Sequence, residues 1–142
     1  MTVTAIPHTI IWAFLAAKPA LTALVGTDPI GIYSPNVPAG ASKPAISYLV
    51  RGGPRSDPYI PGIQKVSVQF DCWADTFLGA RALSLALFNS LQGVQNEVVS
   101  VGGIDYKIFG ATAETAGQDL QDVDIPTWFR VLQFYEIMVK CE

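Results

Sequence analysis

The sequence predicts an α+β fold: a largely antiparallel or mixed β-sheet packed by an N-terminal helix and one long central helix. Three observations lead there. Between Ile63 and Leu91 the apolar period changes from 2 to 3.6 within about four residues, so a long strand turns directly into a long helix that must fold back over its sheet. Two β-prone runs, Glu97 to Val101 and Ile104 to Phe109, meet at Gly102-Gly103, the dipeptide that a two-residue hairpin turn favours. The chain then closes on Thr127 to Cys141, β-prone throughout and apolar on both parities.

The first element is a helix. Pro7 pre-sets its first turn, and Ile10, Ile11, Phe14 and Leu15 recur at helical spacing until Lys18 and Pro19 interrupt them. Ala20 to Val25 adds a further turn or two, with Gly26 as a left-handed C-terminal residue. Ile30 to Tyr33 reads as a brief edge strand, and Pro35, Pro38, Gly40 and Pro44 make the next stretch an irregular loop. Ala45 to Arg51 is apolar on both parities, which suits a strand covered on two sides and paired with the long strand. Between these strands, Gly52 to Gly62 is too long for a tight hairpin and too rich in proline and glycine for a helix, the kind of loop that is commonly functional or mobile.

In the long strand Val66, Val68, Phe70 and Cys72 alternate with Lys65, Ser67, Gln69 and Asp71, one face for a core and one for water or a partner. Asp75 or Thr76 caps the helix that follows; its apolar side is Ala80, Leu83, Ser84, Leu87 and Leu91, and Gly93 stops it. After the hairpin, Ala111 to Asp124 loses periodicity and carries Glu114, Asp119, Asp122 and Asp124 without a basic residue, so it reads as an exposed acidic loop. In the closing strand Phe129, Val131, Tyr135, Ile137 and Val139 occupy one parity, and Trp128, Leu132, Phe134 and Met138 the other. One sheet face cannot hide both sets. With only two substantial helices available, the second set is expected to be buried against a neighbouring subunit, with Trp128, Phe134 and Met138 in the contact.

A length of 142 residues is read as one domain, 1–142, able to bury roughly two-thirds of its unfolded surface without staples. Half the residues are hydrophobic and 15% are charged, against about 25% in an average domain, so part of the surface is expected to lie under other subunits. A net charge of -3 and a pI near 5.0 argue against sequence-independent grip on nucleic acid. The apolar run Thr9 to Ala17 is too short to span a bilayer and follows no basic leader, so the chain is expected to be made in a cytosol. Cys72 and Cys141 lack metal-ligand spacing and are expected as buried free thiols.

Chemistry that needs convergent side chains finds none here. The one histidine, His8, opens a helix, and no phosphate-cradling glycine pattern is present. Asp71 and Asp75 have sufficient structural roles as strand and cap residues. Arg51, Arg55, Asp57 and Tyr59 form one small basic and aromatic cluster, better suited to a protein interface than to phosphate. No catalytic residue, metal or cofactor is expected.

Several stretches together resemble a family. Pro19-Ala20-Leu21-Thr22-Ala23-Leu24-Val25-Gly26, the Ile32-Tyr33 strand, the strand after Lys43-Pro44, and Val68-Gln69-Phe70-Asp71-Cys72-Trp73-Ala74-Asp75-Thr76 followed by Gly79-Ala80-Arg81-Ala82-Leu83 look like the tail completion or tail terminator proteins of long-tailed bacteriophages. The likeness covers about the first ninety residues in order, with the terminal strand a looser match. It implies a non-catalytic α/β subunit that assembles into a homo-oligomeric ring, taken in this family to be a hexamer. The ring caps the tail tube protein and meets the head connector or stopper, at the head–tail junction of a virion assembled in the bacterial cytoplasm. It implies no membrane and no specific nucleic-acid binding, with the channel open to passing DNA. In such a ring Glu114, Asp119, Asp122 and Asp124 are expected to face either the channel or a basic neighbour, unless the loop is a solvated connection. Another neck component, a connector stopper or adaptor, fits the same residues. A small-molecule-binding or enzymatic α/β domain would need a pocket of convergent polar groups.

Overall fold

The computed structural model describes residues 7–26, 30–34, 37, 44–51, 63–121 and 128–140. In chain order they form α1 (Pro7–Ala16), α2 (Pro19–Val25), β1 (Ile32–Tyr33), β2 (Ala45–Val50), β3 (Ile63–Ala74), α3 (Phe77–Leu91), β4 (Glu97–Val101), β5 (Ile104–Ala113), β6 (Gln118–Gln121) and β7 (Phe129–Lys140). This is the α+β arrangement that the sequence predicts. Arg55, Asp57 and Tyr59, with the rest of the Gly52 to Gly62 loop, lie outside the described residues, as do Asp122, Asp124 and Cys141.

β3 and β7 are the spine of the sheet, antiparallel from Ile63↔Lys140 to Ala74↔Phe129. Their length follows from long β-prone runs free of internal proline or glycine, which would break the ladder. β2 pairs antiparallel with β3, β1 joins β2 in parallel, and β5 and β4 continue on the far side of β7, giving the order β1-β2-β3-β7-β5-β4. The one parallel pair makes the sheet mixed. The β4–β5 turn is the expected hairpin, with Gly102 and Gly103 at φ 60° and 81°, the left-handed values such a turn needs at both central positions.

At the corner between β3 and α3, Thr76 is the N-cap and its hydroxyl accepts the Gly79 N–H at 3.0 Å. Such a cap contributes about 1 kcal/mol. α3 buries Ala80, Leu83, Ser84, Leu87 and Leu91, the side its periodicity marks, against β3 and β7. α1 buries Ile10, Ile11, Phe14 and Leu15 in the same core as Phe70 and Tyr135. It reaches both ends of the sheet: Trp12 Nε1 donates to the Ile32 carbonyl of β1 at 3.0 Å, and Lys18, just past the helix, pairs with Glu97 of β4 at 2.7 Å. The sheet therefore curls around its helices, which line its inner face.

The acidic loop expected after the hairpin is in part strand. β5 runs to Ala113, and Gln118–Gln121 is β6. Both pair with β7 on the edge opposite β3, β5 with residues 135–140 and β6 with 129–132. They amount to one strand with an interruption, where residues 114–117 stand opposite 133 and 134. Small and polar side chains carry no periodic signal there, and pairing along β7 supplies the order instead. Three hydrogen bonds tie the interruption to β7: Glu114 N–H to the Phe134 carbonyl (2.8 Å), Phe134 N–H to Thr115 Oγ1 (3.1 Å) and Gln133 Nε2 to the Thr115 carbonyl (3.0 Å).

Candidate functional site

Because side chains alternate along a strand, β3 and β7 present two unlike faces. On the inner one Val66, Val68, Phe70 and Cys72 meet Val131, Tyr135, Ile137 and Val139, all buried beneath the helices. Burial pushes the Cys72 thiol above its ordinary pKa, and the cysteine is free, as an inert core residue should be. The outer face has no described helix over it. Leu132, Phe134 and Met138 lie on it half-buried, next to Trp73, Arg130 and Gln69.

Aromatic rings and cations are interleaved across this outer face. The Arg51 N–H donates to the Ser67 carbonyl at 2.7 Å, and its guanidinium lies 4.3 Å from the centre of the Phe134 ring. Arg130 stands 5.3 Å over Trp73, which meets Trp128 edge-on at 5.4 Å and donates through Nε1 to Ser47 Oγ at 3.0 Å. Between these two stacks Asp71 is buried, its carboxylate accepting from Gln69 Nε2 at 3.2 Å and from Arg130 at 3.4 Å. Burial raises the Asp71 carboxyl above the usual range, while the Gln69 bond and the Arg130 charge draw it back down. The Arg130 salt bridge only partly offsets the cost of desolvating the carboxylate.

Of the interface residues expected from sequence, Arg51 and Phe134 are brought into contact, Trp128 joins the Trp73 stack, and Met138 continues the same row. The sequence alone does not point to Trp73, Asp71 and Arg130 as interface residues. They share the outer parity with Phe134, but only the β3–β7 register sets Trp73 opposite Arg130. The acidic residues divide. Glu114 accepts from Ser67 Oγ at 3.3 Å, whereas Asp119 accepts from Arg81 Nε at 2.8 Å, both partners half-exposed. Arg81 also donates to the Gly117 carbonyl at 3.1 Å. The acidic stretch has no cation of its own, and α3 supplies one.

Among the described residues no group of three His, Cys, Asp or Glu is placed to hold a metal ion. What the outer face offers is a surface of half-buried apolar and aromatic side chains interleaved with polar ones and stacked arginines, suited to protein contact.

A family profile described as Tail completion protein gp17 matches residues 9–131, from α1 into β7. Nothing among curated proteins matches. A chain of the solved structure titled "Virion of native gene transfer agent (GTA) particle" is similar, with a TM-score of 0.65 and 22% identity, covering 94% of each chain. At that identity the likeness concerns the fold, and it extends over nearly all of both chains. The profile runs through the strand–helix corner and also through the acidic stretch, beyond the part that the sequence resemblance covered. On that match the chain belongs to the tail completion protein family, structural proteins of the bacteriophage virion.

Proposed function

We propose that this chain is a subunit of a ring that caps the finished tail tube and joins it to the head connector, and that the outer sheet face is one of its contact surfaces. The observation that carries this reading is that face: a twelve-residue strand, β7, whose second apolar parity has no described helix to cover it. Burying a large apolar side chain contributes about 1.5 to 3 kcal/mol, so Leu132, Phe134 and Met138 favour association once a partner surface is present. Stacked arginines and tryptophans are the residue types that dominate protein contacts. Family membership supports the tail-completion role, and the occurrence of a chain of the same fold in a virion particle is in keeping with it. The acidic balance of the chain suits a ring through which DNA passes, because a basic lining would hold phosphate by counterion release.

The test is Phe134→Asp in an infecting phage. The side chain lies half-buried on the outer face and outside the core under the helices, so the purified variant should keep its circular dichroism spectrum while heads and tails accumulate unjoined. Infectious particles with joined tails at the wild-type level would refute this reading.

A further inference from the structure

We infer that the ring closes head to tail, with the far side of α3 in one copy seated on the outer sheet face of the next. This rests on the ring reading above. α3 turns Ala80, Leu83, Ser84, Leu87 and Leu91 toward the sheet, so its other side points away, and there Leu78 is 85% exposed and Leu85 59%. The outer face of β3 and β7 looks the opposite way. One subunit thus carries two different apolar surfaces on opposite sides of its helix-on-sheet packing, neither covered by a described element. A patch that pairs with itself stops at a dimer, whereas two unlike patches on opposed sides propagate and can close into a ring.

The dimensions agree. Leu78 and Leu85 are about 10.5 Å apart along the helix axis, and neighbouring strands are about 4.8 Å apart, so the two leucines reach across two strand spacings. Ala82, between them on the same side, leaves room for the strand in the middle. β3 and β7 are about 40 Å long, β5 about 33 Å and β2 about 20 Å, so at about 4.8 Å per strand the outer face presents about 640 Å². That is most of the roughly 800 Å² per partner of a standard interface. The ridge between Leu78 and Leu85 holds one charge, Arg81, already paired with Asp119. On the sheet side Leu132 and Phe134 are the receiving residues, with Lys65, Asp71, Arg130 and Glu136 on the same face around them.

Leu85→Cys and Phe134→Cys in one chain, with Cys141→Ser and the buried Cys72 left in place, test this directly. Mild oxidation of the assembled protein should give a ladder of disulfide-linked chains longer than two, and either cysteine variant alone should give none. Independently, Leu78→Asp with Leu85→Asp, both at exposed positions, should abolish the ring in light scattering and leave the fold intact. If the wild type forms rings but the paired cysteines give no ladder beyond a dimer, or the aspartate variant still assembles, the seating is wrong and the ring reading stands. A wild type that stays monomeric both alone and on tail tubes overturns both.

Discussion

The guanidinium of Arg51 lies 4.3 Å over the Phe134 ring although their strands are not neighbours, because β3 runs between β2 and β7 and the arginine reaches across it. A cation over an aromatic face at a site open to water contributes about 0.5 to 1 kcal/mol. Urea unfolding of Arg51→Ala, Phe134→Ala and the double variant should therefore give a coupling of about that size. Additive effects of the two substitutions would mean that the stack contributes nothing to the free subunit.

Asp71 makes the outer face sensitive to pH. Burial raises its carboxyl, so the folded chain holds that proton to a higher pH than the unfolded chain does. The sign follows: its contribution to stability is fullest below the ordinary carboxylate pKa of about 4, declines as pH rises through the folded value, and is flat above it. Asp71→Asn should remove this decline. Arg130→Leu takes away the charge that draws the carboxyl down and should cost about 1 to 3 kcal/mol at neutral pH. Unfolding free energies measured from pH 4 to 7 check both, and identical slopes for wild type and Asp71→Asn would contradict the assignment.

Gly117 sits where the β5–β6 edge is interrupted. A Cβ there would lie 2.9 Å from Val131 Cγ1 and 3.0 Å from the Arg81 guanidinium. Val131 is fully buried and has no room to yield, so Gly117→Ala must displace the arginine or the strand. Overpacking of this kind costs about 1 to 3 kcal/mol. A lower melting temperature is expected, and an unchanged one would show that residues 114–117 adapt freely.

The periodic elements were legible in the sequence for a physical reason: α3 and β3 each bury one face, and a buried face writes its spacing into the chain. Ala80, Leu83, Ser84, Leu87 and Leu91 all take the positions their spacing predicts, and of the two cap candidates, Asp75 and Thr76, it is Thr76 that caps the helix. β6 was not legible. Gln118–Gln121 hides no apolar face and is ordered by main-chain pairing with β7, which local sequence does not record. The candidate interface was half legible on the same grounds. Phe134 and Met138 stand out as surplus apolar residues on one parity, whereas the Asp71, Arg130 and Trp73 arrangement depends on a register between strands far apart in sequence.

The acidic stretch separates into testable parts because Asp119 already has a cation. Held by Arg81 beside α3, it lies at the margin of the ridge that carries Leu78 and Leu85, which fits a contact rim better than a channel wall. An exposed ion pair contributes about 0.2 to 1 kcal/mol, so Asp119→Lys should leave the fold intact while placing two cations side by side. At the rim, assembly of this variant should weaken at low salt and recover as salt rises, since exposed charges are screened beyond about 8 Å at physiological ionic strength. DNA ejection from particles that do join should stay normal. Were the stretch to line the channel, reversing Asp119, Asp122 and Asp124 together would leave assembly unchanged at every salt concentration and slow ejection, because the lining would then attract phosphate. Light scattering across a salt series and ejection kinetics from joined particles distinguish the two, and wild-type behaviour in both would make the stretch a solvated edge of the sheet.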